Sequence, residues 1–179
     1  MSTTTQRLPQ LGEGLFLTDG GLETTLIFHE GWDLPHFAAF HLLSSEEGTA
    51  ALRAYYERYL RLARASGLGF VLESPTWRAS ADWGDKLGYA REALDGVNRR
   101  SIELMLDLRE SFPGSAPVVV SGCIGPRGDG YDPGTVMSAD EAQSYHAPQI
   151  AVYAEAGADM VAAFTMTNAN EAAGIARAA

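Results

Sequence analysis

Four short, continuous apolar runs alternate with longer amphipathic segments along this chain of 179 residues. That alternation constrains the fold more than any other feature. Runs of this length, rich in valine, leucine and phenylalanine, suit strands buried on both faces, as in parallel sheets flanked by helices. They fall at roughly 15–19, 70–73, 117–120 and 159–164. Between them lie helical patterns with start and stop signals. Ser44 with Glu47 has the spacing of a capping box. Leu52, Tyr55, Tyr56, Tyr59, Leu60 and Ala63 then share one face, and Gly67 ends the helix. A second helix over about 89–112 carries Leu94, Val97, Met105, Leu108 and Phe112 and stops at Pro113-Gly114. Ser138 with Glu141 opens a third, bent or restarted at Pro148 and closed by Gly157; Asn168 with Glu171 caps a fourth.

The junction Ala65-Ser66-Gly67-Leu68-Gly69-Phe70-Val71 resembles Glu155-Ala156-Gly157-Ala158-Asp159-Met160-Val161. Each is a helix end, a glycine and a strand start, the joint that βα units demand. A closed (β/α)8 barrel needs about 250 residues. The order therefore reads as the first four βα units of a TIM (β/α)8 barrel, one domain over 1–179, with 1–12 a flexible tail and 27–43 irregular. A small doubly wound sheet is the alternative, but the first turn lacks the glycine fingerprint of a dinucleotide site.

Composition excludes several classes. With 46% apolar and 20% charged residues the chain is globular rather than disordered. A formal charge of −10 argues against nucleic acid as a partner. No apolar stretch approaches the roughly 20 residues that span a bilayer, and Met1 to Gln10 lacks a signal peptide's apolar core. A single cysteine, Cys123, suits a reducing cytoplasm and excludes a multi-cysteine metal site within these residues. It is expected as a small buried thiol. His29, His36, His41 and His146 share no ligand spacing and are expected as ordinary surface or loop histidines.

Chemistry concentrates where the runs end. Asp19-Gly20-Gly21 follows the first strand, placing a carboxylate beside a bare main chain at the strand's carboxyl end, where α/β folds bind ligands. Glu73-Ser74-Pro75-Thr76-Trp77 follows the second and Ser121-Gly122-Cys123-Ile124-Gly125-Pro126 the third. In order and spacing these motifs, with Glu155-Ala156-Gly157-Ala158-Asp159 before the fourth strand, resemble the amino-terminal half of the homocysteine S-methyltransferase family.

The resemblance implies a TIM barrel of the homocysteine-binding type that transfers a methyl group from an onium-type donor to a thiol such as homocysteine, in methionine biosynthesis. It also implies zinc, held by three cysteine thiolates that lie after the sixth and eighth strands in the family. Those positions are not represented here, so no metal ligand is expected in this chain and no ligand role falls on Cys123. By the same resemblance Asp19 and the Gly20–Gly21 backbone hold the ammonium and carboxylate ends of the amino acid. Thr76 lines the pocket, and Gly125 and Pro126 shape its wall. The chain departs from the family at Phe164, where many members carry a glutamate that helps bind the amino group. Glu73 is the candidate replacement. Trp77 and Arg78 suit either recognition of a charged group or packing of the barrel mouth. The expected partners are small molecules, with neither nucleic acid nor membrane. By itself the chain is expected to be inactive. The alternative is a non-catalytic half-barrel that completes itself with another chain, as in a homo-oligomer.

Overall fold

All four apolar runs form strands, and all pair in parallel. The computed structural model describes residues 8–179. In order these are β1 (Phe16–Thr18), α1 (Leu22–Phe28), α2 (Glu46–Ser66), β2 (Gly69–Glu73), α3 (Ala81–Lys86), α4 (Arg91–Ser111), β3 (Val118–Ile124), α5 (Ala139–Ala156), β4 (Met160–Ala163) and α6 (Ala169–Ala178). The sheet order is β1-β2-β3-β4. Phe16 stands opposite Gly69, Phe70 opposite Val118 and Ser121 opposite Met160. Among the described residues the sheet is open, with β1 and β4 as its edges.

Side chains alternate across a strand, which sorts the sheet into two faces. Phe70 and Leu72 of β2 and Val118, Val120 and Ile124 of β3 pack into one core with Leu52, Tyr55, Tyr56 and Leu60 of α2 and Ile102, Met105 and Leu108 of α4. Each such side chain contributes about 1.5–3 kcal/mol by leaving water. The intervening residues, Val71 and Glu73, Val119, Ser121 and Cys123, Met160 and Ala162, take the other face. Its lower end is filled by Phe16, whose ring would stand 2.5 Å from a Cβ on Gly69.

Several boundaries differ from the sequence expectation, each for a local reason. Ser45, not Ser44, caps α2 by accepting from the Gly48 amide, while the Ser44 hydroxyl turns back to the His41 carbonyl. Residues 27–43 are not wholly irregular, because α1 runs to Phe28 and 3-10 turns follow at Pro35–Phe37 and Ala39–Ser44. The helix expected from 89 begins at Arg91 and is preceded by the short α3. α5 runs unbroken through Pro148. β3 extends through Ser121-Gly122-Cys123-Ile124, beyond the run at 117–120 expected as the strand. Gly122 is required there because the Tyr153 ring of α5 occupies its side-chain space, 2.4 Å from where a Cβ would stand. The expected tail at 1–12 lies outside the described residues up to 7. From there Pro9–Leu11 forms a 3-10 turn, and the Gln10 amide reaches the Met160 sulfur. The capping box at Ser138/Glu141 and the Asn168 cap of α6 form as expected.

His146 is a correction: it is fully buried, not a surface or loop residue. Its Nε2 lies 2.9 Å from Glu171 Oε1, which also accepts the Arg127 amide at 2.7 Å. One buried carboxylate thus ties α5, α6 and the loop after β3 together. Burial works to raise the Glu171 carboxyl's pKa, but the bonds from His146 and Arg127 outweigh it and hold the group below its ordinary range. Glu171→Ala is expected to destabilise the protein by about 3 kcal/mol in chemical denaturation, because it orphans a buried histidine and a half-buried amide.

Among the described residues no helix is long and apolar enough to cross a membrane.

Candidate functional site

The carboxyl ends of the strands carry the polar groups. β1 ends at Thr18, so Asp19 is the first residue beyond the sheet, and Gly20 and Gly21 lead directly into α1. Gly21 adopts φ +64°, a left-handed conformation that a side chain would strain. The Tyr55 hydroxyl of α2 lies 2.9 Å from both Asp19 Oδ2 and the Gly20 carbonyl, and the Tyr59 hydroxyl donates to that carbonyl at 3.1 Å. The one face of α2 that packs on the sheet therefore also fixes the turn. Burial raises the Asp19 carboxyl's pKa, and the Tyr55 bond offsets part of that.

Glu73, the last residue of β2, stands in register with Ser121 of β3. Its carboxyl is pushed up to about 7, chiefly by burial, with Asp19 adding to the rise and the neighbouring Ser121 hydroxyl opposing it. Among the described residues Glu73 Oε2 is buried without a hydrogen-bond partner of ordinary geometry. Glu23, in the first turn of α1, joins them. Burial raises its carboxyl too; Asp19 adds to that, and Arg78 opposes it. Sequence reading passed over Glu23. An acid four residues after Asp19, behind two glycines, was the available signal.

Thr76 is fully buried, and its hydroxyl donates to the Cys123 carbonyl at 2.8 Å and meets Ser74 Oγ at 2.7 Å. It braces the loop after β2 against β3. Gly125 and Pro126 follow β3 against two tryptophans. A Cβ on Gly125 would stand 2.1 Å from the Trp77 carbonyl oxygen, and Trp83 Nε1 donates to the Pro126 carbonyl at 3.3 Å. Asp19, Gly20 and Gly21 thus share the strand ends with Glu73, while Gly125 and Pro126 form a wall around Trp77 and Trp83. Phe164, just past β4, is 43% exposed and donates its amide to the Ile124 carbonyl.

Cys123 is buried, as expected. Burial pushes its thiol pKa well up, and Glu73, Glu23 and Asp19 push it further, which favours the protonated thiol. Among the described residues no group of three or more histidine, cysteine, aspartate or glutamate side chains could hold a metal ion.

Known proteins resemble most of this chain. It is 28% identical over 178 residues to homocysteine S-methyltransferase 2 of Zea mays and 27% identical to homocysteine S-methyltransferase 3 of the same plant. Each match covers 89% of this chain and 50% of the relative, so the chain spans about half the length of the curated relatives it matches. The crystal structure of the homocysteine methyltransferase MmuM from Escherichia coli has the same fold. Its oxidized form gives a TM-score of 0.76 at 22% identity over 92% of this chain and 57% of that one. Its metallated form gives 0.73 at 23% identity over 93% and 59%. The family profile described as homocysteine S-methyltransferase matches residues 16–179, nearly everything from β1 onward, and the chain belongs to that family.

Proposed function

We propose that these residues are the first four βα units of a homocysteine-binding (β/α)8 barrel, a single domain over 1–179, working in the cytoplasm on small molecules. In this reading they hold the amino-acid end of a thiol acceptor during methyl transfer from an onium donor. The observation that carries it is the Asp19 carboxylate, fixed by Tyr55 beside the bare Gly20–Gly21 main chain and within electrostatic reach of Glu73. Asp19 pairs with the substrate ammonium. Glu73 supplies the second carboxylate in place of the acid that the family carries where this chain has Phe164. Gly20 and Gly21 let the substrate carboxylate approach the backbone, and Thr76 holds the β2 loop that, with Gly125 and Pro126, walls the pocket.

The family resemblance brings zinc with it, but the residues present here do not fit a zinc site: the sequence has one cysteine, and among the described residues no group of three or more histidine, cysteine, aspartate or glutamate side chains could hold a metal ion. No step of thiol activation is therefore assigned to this chain. A second reading, a non-catalytic half-barrel completed by another chain as a homo-oligomer, is favoured by β1 and β4, which are unpaired edges among the described residues.

Titration calorimetry with L-homocysteine separates the readings. The first expects binding that Asp19→Asn weakens at least about tenfold, the size of one charge-assisted contact. Equal affinity of wild type and variant overturns the assignment of Asp19, and absence of binding favours the non-catalytic half-barrel. The same preparation is expected to contain no zinc and to transfer no methyl group from S-methylmethionine or betaine. Stoichiometric zinc with turnover would overturn the reading of Cys123.

A further inference from the structure

Arg78, beyond the end of β2, has a side chain only 6% exposed. Both faces of its guanidinium are covered, with the Trp77 ring centroid 3.9 Å and the Trp83 ring centroid 3.8 Å from Cζ. Nη1 donates to the Gly128 carbonyl at 3.1 Å. What remains is the edge formed by Nε and Nη2, the edge with which arginine grips a carboxylate through two parallel bonds. Nε is buried and has no hydrogen-bond partner among the described residues. Nη2 faces Asp129 at 3.7 Å, too far for a hydrogen bond. A buried charged donor without a partner is costly unless a ligand completes it.

We propose that Arg78 is the carboxylate anchor of the amino-acid pocket, taking the substrate carboxylate side-on through Nε and Nη2. The inference rests on the amino-acid-binding reading above and adds to it the residue that selects for an α-carboxylate. Glu23, in the first turn of α1, is within electrostatic reach of both Asp19 and Arg78. That arrangement is complementary to a zwitterion: Asp19 for the ammonium, Arg78 for the carboxylate. Asp129, on the exposed loop between β3 and α5, is the carboxylate that an incoming ligand displaces. The tryptophan faces hold the guanidinium plane at fixed orientation, which adds the geometric selectivity that a lysine at this position would lack.

Calorimetry with two thiols tests this. L-homocysteine is compared with 3-aminopropane-1-thiol, which is the same molecule without its carboxylate. Wild type is expected to bind homocysteine at least about tenfold more tightly. Arg78→Gln is expected to reduce that preference to less than about threefold by weakening homocysteine alone, and Arg78→Lys to fail to restore it, since charge without the fork makes no paired bonds. Equal binding of both thiols by wild type overturns this inference together with the Gly20–Gly21 carboxylate contact and leaves the pairing of Asp19 with the ammonium standing. Retained preference in Arg78→Gln overturns it as well. Binding of neither thiol overturns the amino-acid pocket and Arg78's role together.

Discussion

Raising the pH from about 5 to about 8 is expected to cost the folded protein on the order of 2–3 kcal/mol, and Glu73→Gln to remove most of that cost. The carboxyl of Glu73 titrates at about 7 in the fold against an ordinary value of 4.5. Across that interval the native state keeps a proton that the unfolded chain has released. Unfolding then releases protons, so stability falls as pH rises from about 4.5 to about 7 and stays level above. Asp19 and Glu23 are raised too and add the same sign. Glu171 is shifted the other way, and its contribution fades only as pH falls below the ordinary carboxyl range, outside this window. Glutamine keeps the shape of Glu73 without a charge to desolvate. Urea denaturation of wild type and variant at both pH values measures the effect. Parallel pH dependence in the two proteins would mean that Glu73 titrates as an ordinary surface acid.

Gly125→Ala is the second large expectation, a loss of about 3 kcal/mol, which lowers Tm by roughly 6–12 °C in a domain of this size. A flexible side chain can move aside, but the atom 2.1 Å from the new methyl is the Trp77 carbonyl oxygen, part of the backbone. Relief requires the loop after β2 or the loop after β3 to shift. Either movement disturbs the stack of Trp77 on Arg78, so homocysteine affinity should fall along with Tm. Gly114→Ala is the control: nothing lies within 4 Å of its Cβ position, and a surface change of this kind stays within about 0.5 kcal/mol. Equal melting of the two variants would mean that the Gly125 loop yields without resistance.

What could be read from the residues in advance was whatever depends on near neighbours in sequence. The four apolar runs became four parallel strands because period and β-branching are local properties. The Ser138 and Asn168 caps formed because a side-chain oxygen meets an amide three residues on. Asp19 could be placed at a strand end because a carboxylate followed by two glycines ends the apolar run. The errors share one origin. Gly122 was expected beyond the strand, yet β3 runs through it, paired with Val161, and Tyr153, thirty-one positions later, fills its side-chain space. His146 looked like a surface histidine, yet Glu171 waits for it inside.

The sequence by itself therefore determined the βα alternation, the parallel sheet and the family, since each is carried by patterns within a few residues or by motifs in register. Only the tertiary structure decided which acids are buried, that Glu73 shares its surroundings with Asp19 and Ser121, and that Arg78 lies between two aromatic faces with Nε unpartnered among the described residues. Desolvation and Coulomb attraction depend on distance in space, and the groups that set them here come from different strands, helices and loops.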